Sequence, residues 1–184
     1  MENTNNSLTV VAAQEGHSVS VVGDTYRIIM GSEQTNGAYA FIDMLIPQKG
    51  GPGPHSHAAF QEAFYIIEGE IEVITKEKTY TATSGSYVNI PFNGPVHKFT
   101  NKTVNIAHIL CLTTPAGMEK MFKEIGKPVS ADTFLPPPQM TAEELKQFQS
   151  IAEKYVQKLY PPDGLIIYII PAYKTIKQKD RYMC

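Results

Sequence analysis

His55 and His57 stand two residues apart, Glu62 follows them, and His97 lies further along the chain. On an extended strand residues i and i+2 share a face, so both imidazoles of the first pair can point to one side. Glu62 is at an odd offset from His57, which requires a turn between them and puts Glu62 on the next strand. Three neutral imidazoles and one carboxylate make an N/O ligand set for one divalent transition metal. Fe, Mn, Ni, Co, Cu and Zn are all chemically acceptable, whereas Ca and Mg favour all-oxygen sites. On an octahedral ion four protein ligands leave two positions for substrate or dioxygen; a structural zinc site would be closed and usually rich in cysteine.

Such residues need a rigid β frame. Short runs rich in Val, Ile, Tyr, Phe and Thr, broken by Gly, Pro, Asn or Asp, recur through the first part of the chain. The runs are Leu8 to Ala12, Val19 to Val22, Tyr26 to Met30, Ala38 to Ile46, Ala63 to Ile67, Ile71 to Thr75, Thr79 to Thr83, Tyr87 to Ile90, His97 to Thr100 and Asn105 to Leu112. Many short strands with close turns indicate an antiparallel sandwich or barrel. Ile66 to Ile71, with Gly69 free to take positive φ, reads as a tight hairpin.

The pattern changes after Thr114. Met118, Met121, Phe122 and Ile125 recur at helical spacing within Pro115 to Ile125. Pro128 to Gln139 is a loop, since Pro136, Pro137 and Pro138 cannot be helical. Thr141 and Glu144 form a capping box opening a second helix. Its apolar stripe runs through Leu145, Phe148, Ile151, Ala152, Tyr155, Val156 and Leu159, and Pro161 and Pro162 end it. Leu165 to Tyr173 reads as a strand and Lys174 to Arg181 as a basic tail. The expected plan is mainly β: a barrel domain with N-terminal strands over residues 1–114, and a helical extension and tail over 115–184 packed on it.

Two segments carry a family resemblance. In GGPGPHSHAAFQEAFYIIEGE, His55, His57, Glu62 and Gly69 occupy positions of the first cupin motif, with Lys49 at the place of its leading glycine. In GSYVNIPFNGPVHKFTN, Gly85, Pro91, His97 and Asn101 occupy those of the second, with Gly94 one place late. The chain resembles the cupin superfamily from about Thr25 to Thr114, which implies a small antiparallel jelly-roll barrel holding a metal through His55, His57, Glu62 and His97. GDTYRIIMG, the first motif and CLTTPAGMEKMFKEIG together resemble the single-domain quercetin-dioxygenase-like cupins. That resemblance implies a metal-dependent dioxygenase acting on a flavonol or related enolic or aromatic molecule, with Glu62 as both ligand and base. It also implies a homodimer.

Phe64 and Phe99 share strand parity with Glu62 and His97, which makes them candidate substrate-binding walls. His108 reads as a satisfied barrel histidine, His17 as a polar-segment residue and Cys111 as a small buried hydrophobe. Of 184 residues, 42% are hydrophobic and 18% charged, with a net charge of -2. That excludes a disordered chain and argues against nucleic acid as a partner. No apolar run spans a bilayer, the N-terminus lacks signal-peptide features, and two distant cysteines form no disulfide framework. A small-molecule substrate, with dioxygen as a candidate co-substrate, in a reducing cytoplasmic setting is the expectation. A cupin isomerase or lyase, or a non-catalytic small-molecule-binding cupin, is the alternative.

Overall fold

The structure is a computed structural model that describes residues 8–165. The strand expected from Leu165 onward, the basic tail and Cys184 lie outside the described residues, Leu165 aside. In chain order the strands up to the first longer helix are β1 (His17–Val21), β2 (Asp24–Met30), β3 (Ala40–Ile46), β4 (His55–His57), β5 (Gln61–Glu68), β6 (Glu70–Thr75), β7 (Thr79–Thr83), β8 (Tyr87–Ile90), β9 (His97–Thr100) and β10 (Ala107–Thr114). A one-turn helix α1 (Ser32–Thr35) joins β2 to β3. After β10 come α2 (Met118–Ile125), β11 (Lys127–Pro128), α3 (Ala142–Lys154) and β12 (Gln157–Leu159).

The strands form two antiparallel sheets. One has the order β11-β1-β2-β3-β10-β5-β8 and the other β12-β4-β9-β6-β7. The fold is mainly β, an antiparallel jelly roll with a helical C-terminal extension. Alternation along each strand builds its interior. Ile42, Met44 and Ile46 of β3, Ile109 and Cys111 of β10, and Phe64 and Ile66 of β5 are all buried on the inner face. Ile71, Val73 and Phe99 face them from the second sheet. Each large side chain buried in this way contributes about 1.5–3 kcal/mol.

Three local expectations are corrected. The segment around Gly69 is not a hairpin, because β5 pairs with β10 and β8 while β6 pairs with β9 and β7. Gly69, at φ 77°, turns the chain from one sheet into the other. A Cβ there would lie 2.9 Å from the Ile106 carbonyl oxygen, so the corner admits only glycine. Leu8 to Ala12 is not a strand; Leu8 and Val10 are largely exposed, and β-forming side chains need a neighbouring ladder. The stripe from Leu145 to Leu159 is not one helix. α3 ends at Lys154, Val156 takes φ 59°, and Gln157–Leu159 pair with β4 instead.

That last correction matters for the site. Without β12, the strand carrying His55 and His57 would be a sheet edge; β12 makes it an interior strand between itself and β9. The capping box is present as read: Thr141 Oγ1 accepts from the Glu144 amide at 3.2 Å, and the Glu144 carboxylate accepts from the Thr141 amide at 2.7 Å. α2 turns Met118, Met121 and Phe122 inward, toward one mouth of the barrel.

Candidate metal centre

The fold brings all four predicted ligands together. His55 and His57 come from β4, Glu62 from the start of β5 and His97 from the start of β9, and His55 pairs directly with His97 across the ladder. Their ligating atoms lie within 4.8 Å of one another. All four are buried, with exposures of 5%, 2%, 3% and 1% in that order.

Hydrogen bonding orients each imidazole. The Nδ1 atoms of His55, His57 and His97 lie 3.0, 2.9 and 2.9 Å from the carbonyl oxygens of Gly53, Phe60 and Pro95. A carbonyl only accepts, so each Nδ1 carries the proton and each Nε2 presents a lone pair. His57 also stacks on Phe60, with ring centroids 4.2 Å apart. Glu62 Oε2 lies 3.4 Å from His57 Nε2 and 3.7 Å from His97 Nε2. Neither contact is a hydrogen bond, because acceptor faces acceptor: His57 Nε2, His97 Nε2 and Glu62 Oε2 are buried without partners. Converging acceptor atoms left unsatisfied in a dry interior are costly unless a cation satisfies them. The donor set therefore fits a divalent transition metal.

The electrostatics agree. Burial lowers the His55 pKa to about 4, and the neighbouring His97 adds to the effect, so this ring is neutral. Burial pushes His57 down, but the Glu62 carboxylate outweighs it and the net direction is up. Burial pushes Glu62 up, but the imidazoles of His57 and His97 outweigh it and hold it well below the usual carboxylate range. Glu62 is thus ionised at neutral pH, as a ligand must be.

Several surrounding residues take roles that their sequence positions do not reveal. Cys111 is more than a buried hydrophobe: its thiol donates to Glu62 Oε1 at 3.5 Å, and Oε2 is the oxygen left for the centre. Asn101, fully buried, donates to the Ile46 and Asn105 carbonyls and accepts from Thr103, which ties the turn after β9 to the end of β3. Lys49, at the place of the leading glycine, takes φ 66°, the left-handed backbone that favours glycine. His108 is satisfied by Asp43, which Arg27 also grips, and is no part of the centre. His17 opens β1 and is exposed.

The centre opens into a cavity of about 560 Å³. His55, Glu62 and Phe99 line it; Phe64 does not, and instead packs edge-on against Phe99 with centroids 5.1 Å apart. α3 and the chain after it cover one side through Leu145, Phe148 and Pro161. The size is that of a typical small-ligand site.

Asp24 also lines this cavity and is only 3% exposed. Its carboxylate accepts from Tyr26 Oη at 3.0 Å and from the Gly51 amide at 3.1 and 3.2 Å. In the sequence Asp24 only separates the runs Val19 to Val22 and Tyr26 to Met30. The Gly50-Gly51 doublet was the available signal, because a Cβ on Gly50 would strike Asp24 Oδ1 and one on Gly51 would strike the Phe99 carbonyl. Burial raises the Asp24 pKa from 3.8 to about 7, against the two hydrogen bonds. The folded chain therefore keeps a proton that the unfolded chain releases above about pH 4. Stability due to Asp24 falls as pH rises through that window, by about 4 kcal/mol in all and by roughly 2.5 kcal/mol between pH 5 and pH 8. Urea unfolding at pH 5 and pH 8 is expected to show Asp24→Asn gaining on the wild type by that amount; a constant difference contradicts it.

The comparisons with known proteins follow the geometry. The family described as "Cupin domain" matches residues 42–113, from within β3 to the end of β10. Quercetin 2,3-dioxygenase of Bacillus subtilis (strain 168) is 22% identical over 130 residues, which are 71% of this chain and 38% of that protein. The chain thus spans well under half the length of this curated relative. Among solved structures, KdgF from Halomonas sp. matches with TM-score 0.54 and 14% identity over 62% of this chain and 99% of its own. Ectoine synthase from P. lautus matches with TM-score 0.52 and 20% identity over 73% and 96%. The polyketide cyclase RemF from Streptomyces resistomycificus matches with TM-score 0.52 and 13% identity over 82% and 99%. The likeness to these structures is one of fold. The jelly-roll topology, the four converging side chains and the family match together identify a cupin domain over residues 42–113 of this chain.

Proposed function

We propose that this protein is a metal-dependent dioxygenase acting on a small enolic or aromatic molecule, with flavonols as the first candidates. The observation that carries this reading is the buried His55, His57, Glu62 and His97 group opening into a largely apolar cavity. The match to quercetin 2,3-dioxygenase supports the choice of substrate class. A divalent transition metal held by these four residues, one of Fe, Mn, Ni, Co, Cu or Zn, supplies Lewis acidity toward an enol oxygen and sites for dioxygen.

The chain's own residues do the rest. The carbonyls of Gly53, Phe60 and Pro95 hold the three imidazoles in one tautomer and orientation. Glu62 Oε2, ionised and unpartnered, takes the proton of the substrate hydroxyl, and the electron pair stays on the substrate oxygen. Cys111 holds Oε1, which fixes the plane of the carboxylate. Phe99 and the α2 and α3 side chains exclude water from the reacting enolate.

Reconstitution with Fe, Mn, Co or Ni, followed by oxygen electrode assays on a panel of flavonols, diketones and catechols, tests this reading. Oxygen uptake is expected with at least one pair, and Glu62→Gln is expected to lower it by about 100-fold or more. No uptake at full metal occupancy overturns it; turnover without uptake assigns an isomerase or lyase, and binding without turnover a non-catalytic cupin.

We also propose a homodimer in a reducing cytoplasmic setting. Tyr65, Ile67, Tyr87 and Leu112 are exposed on the outside of the larger sheet, and Cys111 is free. Light scattering is expected to give twice the 20.4 kDa chain mass.

A further inference from the structure

Asp24 and Tyr26 form a second polar pole in the cavity, and nothing in the metal centre requires it. Tyr26 and Glu62 both face the interior of the larger sheet. The register runs Tyr26, Met44, Ile109 in one inward row and Ala40, Thr113, Glu62 in another, with the Ile28, Ile42, Cys111 row between them. Between the poles the wall is soft and apolar, made by Met44, Met118, Met121, Phe122 and Phe148. Polarizable methionines beside aromatic rings suit a planar aromatic ligand. A molecule seated against His55 and Glu62 and filling this space has its far end at Asp24 and Tyr26.

The hydrogen-bond inventory shows unused capacity there. A carboxylate has about four acceptor sites. Only two donors reach Asp24, the Tyr26 hydroxyl and the single Gly51 amide, the latter shared between both oxygens. The Tyr26 oxygen donates to Asp24 and keeps its own acceptor lone pairs. An amide or hydroxyl side chain could latch Gly51 at lower desolvation cost, so a buried carboxyl here needs a further purpose.

Building on the proposed function, we infer that Asp24 and Tyr26 are specificity-determining residues that receive a hydroxyl at the far end of the substrate. The substrate class is therefore a planar aromatic with oxygen functions at both ends: an enol for the metal centre and a phenolic hydroxyl for this pair.

Quercetin and 3-hydroxyflavone test the assignment. Both carry the enol, but only quercetin carries hydroxyls on its other rings. Binding to zinc-loaded protein without oxygen is measured by titration calorimetry, with zinc content determined for every variant. Wild type is expected to bind quercetin about 10-fold tighter than 3-hydroxyflavone, the worth of one well-made buried hydrogen bond. In Asp24→Asn and in Tyr26→Phe, each close in shape to the native residue, that advantage is expected to shrink below about threefold. An advantage that persists in both variants, or that vanishes because the two ligands and zinc weaken together, overturns the inference and leaves the dioxygenase reading standing. Failure of both flavonols to bind the wild type overturns both. Discrimination that depends on Asp24 without any oxygen uptake by the Fe, Mn, Co or Ni protein upholds the inference and sinks the dioxygenase reading alone.

Discussion

His57→Ala is expected to leave the protein without bound metal after dialysis, while the wild type retains close to one ion per chain. His57 is one of the four residues that could hold a metal, its Nε2 lies 3.4 Å from Glu62 Oε2, and its ring is held by the Phe60 carbonyl and the Phe60 ring. Loss of an outer-shell partner alone typically costs about 10–100-fold in affinity, so loss of the ligand costs more. Stability follows the same linkage. A metal at a hundred times its dissociation constant stabilises the fold by about 2.7 kcal/mol. For a chain of this size that raises Tm by about 5–10 °C, and His57→Ala should show no such rise. The metal-free variant should also unfold more easily than the metal-free wild type. Truncation removes a buried ring that stacks on Phe60 and donates to its carbonyl, a large-to-small change that costs about 2–4 kcal/mol. His17→Ala, on the exposed first residue of β1, should change neither quantity. Elemental analysis and thermal melts decide the matter: a His57→Ala protein with undiminished metal content removes this residue from the centre.

Gly51→Ala is expected to damage both the fold and the centre, although Gly51 touches no metal. Its φ of 113° is a conformation that side chains rarely adopt, and its Cβ would overlap the Phe99 carbonyl of β9. The loop must then move. Its amide leaves Asp24, and the displacement reaches Gly53, whose carbonyl orients His55. A loss of more than about 3 kcal/mol is expected, since steric overlap adds to the backbone term. Metal affinity should fall with it. Gly85→Ala is the matched comparison. Gly85 has φ 85°, but a Cβ there meets nothing within 4 Å. It should cost only about 1–2 kcal/mol and leave metal binding intact. Equal effects from the two substitutions contradict the idea that close approach, rather than backbone angle, is what demands glycine at 51.

These two cases separate what is local from what is not. The convergence of His55, His57 and Glu62 was legible because their spacing encodes strand parity: His55 and His57 share a face of β4, and Glu62 falls on β5 after one turn. The capping box at Thr141 was legible because all its bonds lie within three residues. Gly69 was misread because a glycine that allows a hairpin also allows a change of sheet, and only the pairing of β5 and β6 with other strands distinguishes them. Likewise, Gln157 and Leu159 fit either the helical stripe or an alternating strand, and the open edge of β4 selects the strand.

Short-range periodicity and residue chemistry therefore determined, from the chain alone, that this is a mainly β protein with an imidazole and carboxylate ligand set. The three-dimensional arrangement decided which groups meet that set: Cys111 against Glu62, Asp24 and Tyr26 in the same cavity, and β12 beside the strand of His55 and His57. The reason is physical. A strand pattern specifies which way a side chain faces, but its neighbours are set by register and sheet order, which arise from long-range pairing that no local window contains.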